Sequence, residues 1–241
     1  MRICIAQTRP LKGEVLQNLS VHIEFIKKAI NEKADVIIFP ELSLTGYEPT
    51  LSRQLATTIQ DSRLDVLQKM SDDNSITIGV GLPTVENSNI FISMAIFQPN
   101  KERLLYSKQY LHPTEIDIFT AGHNPIVLNI DNENIVAPAI CYELSNDEHS
   151  RNAHQKNATV YIASVLNSVT GVDNDIRRLS EIAAKYSMTT FMANFVGMSG
   201  GYECAGKSSI WNDKGDLVAQ LDGTAEGLLI YDTKTKEVVI M

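Results

Sequence analysis

Short apolar runs alternate with stretches of helical periodicity along the whole chain, and this alternation constrains the fold more than any other feature. Val36–Phe39 is a solid apolar run that ends at Pro40, as expected for a strand buried on both faces. Before it, apolar residues recur every three or four positions from Leu16 to Ile30, which is typical of an amphipathic helix. The pattern predicts an α/β fold with many strands, some of them antiparallel.

The same two patterns, apolar runs and helical periodicity, predict the remaining strands and helices. The predicted strands are Ile3–Gln7, Val36–Phe39, Thr77–Leu82, Ile90–Phe97, Leu104–Tyr106, Ile126–Ile130, Ile135–Tyr142, Thr159–Val165, Thr190–Val196, Ser208–Trp211, Leu217–Gln220 and Gly227–Tyr231. The predicted helices are Leu16–Ile30, Leu64–Met70 closed by a turn at Asp72–Asn74, Ser145–Asn157 and Asp175–Met188. We find no linker, repeat or low-complexity tract, so residues 1–241 are predicted to form a single domain.

Composition narrows the class of protein. Hydrophobic residues make up 44% of the chain and charged residues 21%, values that exclude disordered, collagen-like and coiled-coil proteins. The net charge of −8 argues against binding to nucleic acid or to an anionic membrane surface. We therefore expect a protein that handles small molecules, with no nucleic-acid or membrane partner.

The N-terminus and the cysteines indicate the compartment. The chain enters a strand-like run at once, without a signal peptide, and no apolar run approaches the roughly 18 residues that span a membrane. Three widely spaced cysteines without a CxxC pair favour a reducing cytoplasm over disulfides or structural zinc. Cys4 is predicted to be an inert core thiol, whereas Cys204 lies in a glycine-rich loop compatible with exposure.

Two buried strands are predicted to end in a residue capable of chemistry. Glu41 follows the run that ends at Pro40, and Cys141 follows the run that begins at Ile135. Catalytic groups in α/β folds often lie at the carboxyl ends of strands. Alone, a carboxylate in this position is usually a solvated cap and a cysteine usually fills the core, so neither residue defines a site by itself.

A nucleophilic cysteine needs a base for its proton and a cation or N–H donor for the oxyanion. Glu41 can serve as the base if burial raises its pKa, and Lys108, after another short apolar strand, can supply the cation. A histidine base remains an alternative, although no histidine has a fixed relation to Cys141 in the sequence. The histidines considered are His112, His123, His149 and His154.

The order of these residues, each within its own local phrase, resembles the nitrilase superfamily of carbon–nitrogen hydrolases. The phrases are Phe-Pro-Glu41-Leu-Ser-Leu-Thr-Gly-Tyr, Tyr-Ser-Lys108-Gln-Tyr-Leu and Ala-Ile-Cys141-Tyr-Glu. Further matches are Gln7, Glu115, Phe119–Gly122, Glu148, Ala193–Gly197 and Gly206–Ile210. Any one phrase is weak, but together, in order, they extend over nearly the whole chain.

The resemblance implies a four-layer α-β-β-α sandwich with two mixed sheets and an amidase-like mechanism. Glu41 would act as the base, Cys141 as the nucleophile that forms a thioester, and Lys108 with the backbone N–H of Tyr142 as the oxyanion site. Glu115 would support Lys108 or the substrate. The family implies no metal and no organic cofactor, and its members commonly form homodimers and sometimes larger assemblies. We therefore expect a homodimer, with a higher homo-oligomer as the alternative.

The expected reaction is hydrolysis of a small linear amide to an acid and ammonia or an amine. Hydrolysis of a nitrile or an N-carbamoyl amide at the same site is the alternative, and a noncatalytic scaffold is a third. Tyr47 and Glu143 are the candidate substrate-binding residues.

One departure from the family pattern bears on the substrate. Many amidases of the family carry an arginine where this chain has Ser145, which weakens an assignment to substrates with an anionic tail. Arg177 and Arg178 lie nearby in the sequence but not at the family's offset, and we interpret them as exposed helix residues.

Overall fold

The computed structural model describes residues 1–241. Its strands are β1 (Arg2–Gln7), β2 (Val36–Ile38), β3 (Thr77–Glu86), β4 (Asn89–Phe97), β5 (Leu104–Ser107), β6 (Leu128–Asn129), β7 (Ile135–Ile140), β8 (Val160–Ser164), β9 (Thr189–Ala193), β10 (Val196–Ser199), β11 (Tyr202–Ala205), β12 (Ser209–Trp211), β13 (Leu217–Gln220), β14 (Gly227–Asp232) and β15 (Val238–Ile240). Its α-helices are α1 (Val15–Asn31), α2 (Ser52–Leu55), α3 (Asp65–Asn74), α4 (Asp147–Gln155) and α5 (Val172–Tyr186).

Two large sheets organise the strands. The first has the order β15-β14-β1-β2-β3-β4-β5, and the second has the order β13-β12-β9-β8-β7-β6. Strands β1, β2 and β3 run parallel in the first sheet, as do β7, β8 and β9 in the second, and the other pairings are antiparallel. The predicted pair of mixed sheets is thus confirmed. A separate hairpin joins β10 and β11.

The side-chain alternation of the strands generates the layers. In β1, Ile3 and Ile5 pack in a cluster that includes Ile162 of the second sheet, so this face lies between the sheets. Cys4, on the opposite face, packs with Ile26 of α1. Alternate residues of one strand therefore serve two different cores.

The second sheet is arranged in the same way. Tyr161 and Ala163 of β8 pack on their outer face against Leu179 and Ala183 of α5. Helices thus cover the outer face of each sheet, and the predicted α-β-β-α order is confirmed. None of the helices combines the length and the apolar character that crossing a membrane requires.

Several predicted boundaries were wrong. The strand expected to reach Tyr142 ends at Ile140, because Cys141 adopts a left-handed φ of 45° and opens a 3₁₀ turn. Helix α3 continues through the turn predicted at Asp72–Asn74. Asp72 and Asp73 accept hydrogen bonds from side chains four residues earlier, which stabilises the helix.

The region after β9 also differs from its prediction. The strand expected over Thr190–Val196 stops at Ala193, and Val196 instead begins the β10–β11 hairpin, which was not predicted. Asn194 interrupts the strand because its own N–H donates to the Ser208 hydroxyl rather than to a neighbouring strand.

Candidate active site

The ends of β2, β5 and β7 bring the three predicted catalytic residues together. Lys108 Nζ donates hydrogen bonds to Glu41 Oε1 at 2.7 Å and to Glu115 Oε1 at 2.8 Å. Glu41, Glu115 and Cys141 line the same cavity. The structure therefore unites residues that are separated by up to 100 positions in the sequence.

The segment that carries Glu41 passes very close to the neighbouring strand β3. A Cβ atom added at Gly81 would lie 2.2 Å from the Leu42 nitrogen and 2.7 Å from the Pro40 oxygen. Only glycine leaves space for this turn, which also places Leu42 at a left-handed φ of 54°. The position of Glu41 thus depends on a residue that itself performs no chemistry.

Cys141 begins the 3₁₀ turn Cys141–Ser145 at the end of β7. Its φ of 45° is strained for a residue with a side chain, a condition that is common at active sites. The first N–H groups of a helical turn have no partner within it, so the Tyr142 N–H is available beside the cysteine. The Cys141 Sγ lies 3.7 Å from the Leu166 oxygen, and the residue as a whole is partly exposed.

The loop after β5 holds Glu115 against Lys108. Tyr47 Oη donates to Glu115 Oε1 at 2.8 Å, and the His112 N–H donates to Oε2 at 2.7 Å. The loop returns to its start because the Gly122 N–H donates to the Lys108 oxygen at 2.8 Å. Tyr47, a candidate substrate-binding residue, thus lines the cavity and also orients a carboxylate.

The electrostatics favour a base that is ready near neutral pH. Burial raises the pKa of Glu41 to about 7, against the opposing charge of Lys108 and with added repulsion from Glu115. Burial and the charge of Glu41 also raise the pKa of the Cys141 thiol, so the sulfur is protonated at rest. Glu41 Oε2 is buried and accepts no hydrogen bond within the protein, which leaves it free for a proton.

Lys108 stays charged in this setting. Burial disfavours its ammonium form, but the negative charges of the acidic neighbours, Glu41 foremost and Glu115 with it, outweigh burial and raise the pKa of Lys108. The Lys108 ammonium therefore lies completely buried between the carboxylates of Glu41 and Glu115.

The cavity has a volume of about 330 Å³. Besides the residues described above, its polar wall includes Thr114, Ser145, Asn167, Ser168, Asn174, Asp175, Arg178 and Tyr202. Arg178 Nη1 donates to Asp175 Oδ1 at 2.9 Å across one turn of α5. The interpretation of Arg178 as an exposed helix residue is incomplete, because its side chain is 39% exposed and also lines the cavity, whereas Arg177 is 65% exposed, as expected.

Several family-like residues away from the chemistry support this wall. The Asn194 side chain accepts a hydrogen bond from the Asn167 N–H at 2.8 Å and donates one to the Asn167 oxygen at 3.1 Å. Ser208 contacts the Asn194 backbone, and the Gln7 side chain in turn accepts from the Ser208 N–H at 2.9 Å. The matches at Gln7, Asn194 and Ser208 therefore correspond to a buried network behind the cavity.

Glu143 does not line the cavity, which corrects its assignment as a candidate substrate-binding residue. Its side chain is completely buried and accepts hydrogen bonds from the backbone N–H groups of Ile140 and Gln109, each at 2.6 Å. The 3₁₀ turn directs Glu143 into the protein while Tyr142 remains at the cavity.

The histidines and the other cysteines do not form a cysteine–histidine pair at the cavity. His112 lines the cavity, but its Nδ1 bonds to Thr114 and no hydrogen bond joins it to Cys141. His149 is buried behind the cavity. Cys4 is buried in the core as predicted, and Cys204 is also buried, with a pKa that burial raises to about 11.

Fold and site together define a hydrolase of carbon–nitrogen bonds other than peptide bonds. The chain belongs to the carbon–nitrogen hydrolase family, whose sequence profile matches residues 2–239.

Individual relatives agree with this class. The chain is 25% identical to a protein of Staphylococcus aureus described as a hydrolase in the agr operon, over 99% of this chain and 93% of that protein. It is 25% identical to an (R)-stereoselective amidase of a Pseudomonas species, over 68% of this chain and 60% of the amidase.

A solved structure resembles this one closely. The NitN amidase from Nesterenkonia sp. AN1 superimposes with a TM-score of 0.86, at 25% identity, over 96% of this chain and 92% of that one. Another structure of the Nesterenkonia amidase carries a covalent adduct at its active-site cysteine, at 24% identity and a TM-score of 0.85.

Proposed function

We propose that this protein hydrolyses small linear amides through a thioester on Cys141, with Glu41 as the base and Lys108 as the oxyanion stabiliser. The observation that supports the proposal most directly is the triad geometry: Glu41 lines the same cavity as Cys141, has one buried oxygen without a hydrogen-bond partner, and accepts from Lys108 with its other oxygen. This arrangement supplies both requirements of a cysteine nucleophile at one cavity.

The first half of the reaction forms the acyl-enzyme. The Cys141 sulfur attacks the amide carbon as its proton moves to Glu41 Oε2. The oxyanion accepts hydrogen bonds from Lys108 Nζ and the Tyr142 N–H. Glu41 then returns the proton to the departing nitrogen, the C–N bond breaks, and ammonia or an amine leaves a thioester on the sulfur.

The second half regenerates the enzyme. Glu41 takes a proton from water as the water oxygen attacks the thioester carbon, and the same donors bind the new oxyanion. The C–S bond breaks, the sulfur recovers a proton from Glu41, and the carboxylic acid is released. Glu115 acts by holding Lys108 and by raising the pKa of Glu41.

The charges of the cavity wall support a polar substrate without net charge. Lys108 is paired with Glu41 and Glu115, and Arg178 is paired with Asp175. With Glu41 ionised, as its role as the base requires, the formal charges of these groups sum to −1, which disfavours anionic substrates and is compatible with a neutral amide. We propose that Arg178 and Asp175 meet a polar group at the non-reacting end of the amide.

Replacement of the nucleophile tests the function. We expect Cys141→Ala to abolish ammonia release from every small amide that the native protein hydrolyses. Cys204→Ala is the matched control, because it removes a buried thiol that does not line the cavity. Undiminished turnover by Cys141→Ala would exclude the proposed mechanism, and comparing each amide with its nitrile and its N-carbamoyl analogue would separate the alternative substrates.

We also propose that the protein acts as a homodimer in the cytoplasm. Light scattering coupled to size-exclusion chromatography gives the assembly directly, and a monomer at micromolar concentration would contradict the dimer. Fractionation of the native cells tests the compartment.

A further inference from the structure

Glu143 connects the two segments that carry the cation and the nucleophile. Its Oε1 accepts from the N–H of Gln109, the residue after Lys108, at 2.6 Å. Its Oε2 accepts from the N–H of Ile140, the residue before Cys141, at 2.6 Å. One carboxylate thus bridges the ends of β5 and β7, which belong to different sheets.

A chain of buried hydrogen bonds supports this carboxylate. Tyr106 Oη donates to Glu143 Oε2 at 2.7 Å and lies 2.8 Å from His149 Nε2, while His149 Nδ1 lies 2.7 Å from Tyr161 Oη. Burial lowers the pKa of His149, which favours a neutral imidazole. With a neutral ring, one proton order satisfies every contact: Tyr161 donates to Nδ1, Nε2–H donates to Tyr106, and Tyr106 donates to Glu143.

A fully buried carboxylate is costly unless strong donors surround it. Here the donors are two backbone amides and a tyrosine hydroxyl, so both side-chain oxygens keep their partners only when the two segments hold their present separation. Cys141 has a strained φ of 45°, a conformation that persists only where the surroundings enforce it. The Ile140 bond supplies such a constraint one residue away.

We propose that Glu143 is a positioning residue that fixes the Cys141 sulfur relative to the Lys108 ammonium by bridging Ile140 and Gln109. This inference rests on the proposed function, because the alignment matters for attack on a bound amide. Glu143 touches neither the substrate nor the reacting atoms. Its loss therefore reduces kcat while KM stays close to its native value, since the cavity wall is unchanged.

Glu143→Gln is the decisive variant. A glutamine has nearly the same shape, but its single carbonyl oxygen cannot accept from both backbone amides, and its NH₂ group would face a donor. We expect kcat to fall by about tenfold or more, because even a small displacement of the reacting groups strongly reduces the reaction rate. Tyr106→Phe is the matched control: it retains the carboxylate and both backbone bonds, and its kcat should fall by at most a few-fold.

A second readout does not depend on turnover. The rate at which iodoacetamide alkylates Cys141, measured by mass spectrometry across pH, reports the environment of the sulfur. We expect Glu143→Gln to slow this alkylation about tenfold and Tyr106→Phe to change it little. If the native protein hydrolyses no amide, the proposed function fails, while the alkylation rates still decide the positioning role.

A folded Glu143→Gln protein with native kcat would overturn the proposal, as would a rise in KM without a change in kcat. If native turnover is absent, a native alkylation rate in Glu143→Gln would overturn it equally. Should Glu143→Gln fail to fold, Glu143→Asp decides by the same two measurements. The aspartate side chain is shorter by one methylene, so its carboxylate cannot reach both the Ile140 and the Gln109 N–H groups at their present distances. A reduced kcat or alkylation rate supports the role, and native values of both refute it.

Discussion

Lys108 donates a 2.7 Å hydrogen bond to Glu41, and neither side chain has any surface exposed to solvent. Removal of Lys108 would leave Glu41 and Glu115 as two buried carboxylates without their cation, and breaking a buried ion pair typically costs about 3–5 kcal/mol. The pair is therefore a poor target for single alanine substitutions. Conservative changes at Glu115, at the cavity rim and around the turn that carries Glu41 give clearer tests.

Activity should rise with pH through the titration of Glu41. The base must be ionised to accept the thiol proton, and burial raises its pKa to about 7. We expect kcat/KM to be constant above this value and to fall about tenfold per pH unit well below it. Initial rates with one amide between pH 5 and 9 measure this fall in kcat/KM, and a flat profile below pH 6 would contradict Glu41 as the base.

Glu115→Gln should move the acidic fall in kcat/KM to lower pH. The negative charge of Glu115 helps to raise the pKa of Glu41, so its removal lowers that pKa. We also expect kcat to fall by about 10- to 100-fold, since Lys108 loses a charge-assisted hydrogen bond worth about 1.5–3 kcal/mol. Tyr47→Phe is the control that retains the Glu115 charge. An equal shift of the acidic fall in kcat/KM in both variants would refute the electrostatic explanation.

Arg178→Ala should weaken binding more than chemistry. Arg178 lines the cavity, whereas the neighbouring Arg177 is 65% exposed, so Arg177→Ala is the matched control. We expect KM for amides with a polar tail to rise by about 10- to 100-fold, the range for losing one hydrogen bond to a charged group, with little change in kcat. The KM for short alkyl amides should not change. An unchanged KM for every polar amide would show that Arg178 does not bind the substrate.

Gly81→Ala should both destabilise the protein and impair catalysis. The added methyl would lie 2.2 Å from the Leu42 nitrogen, so the turn that carries Glu41 must shift. Overpacking in a dense interior typically costs about 1–3 kcal/mol, and contact with backbone leaves little room for relief. Gly171→Ala is the control for stability, because its methyl would meet only Ser168 Oγ at 3.6 Å. Thermal unfolding of both variants checks this, and equal melting temperatures would disprove it.

The sequence predicted the layered architecture and the residues at the three strand ends, because strand burial and local phrases are encoded by near neighbours. It did not predict the cavity role of Arg178, since helical periodicity identifies a polar face without revealing what lies opposite. The wall beside Arg178 includes His112 and Tyr202 from distant parts of the chain.

Glu143 illustrates a second limit. Proximity to Cys141 in sequence suggested a place in the cavity, but side chains two positions apart in a 3₁₀ turn point in different directions. Its contact with the Gln109 N–H depends on the packing of the two sheets. The β10–β11 hairpin was missed for a local reason, because Gly200 and Gly201 gave the region the character of an irregular loop.

The pairing of β1 with β14 has a consequence for biosynthesis. Arg2 lies opposite Asp232, and Gln7 contacts Ser208 in the network behind the cavity. After β1 leaves the ribosome it must therefore wait for the synthesis of β14 before it acquires one of its two neighbours. Such long-range closure slows folding and leaves an unpaired edge exposed in the nascent chain. The protein thus becomes competent for catalysis only after β14 has been synthesised.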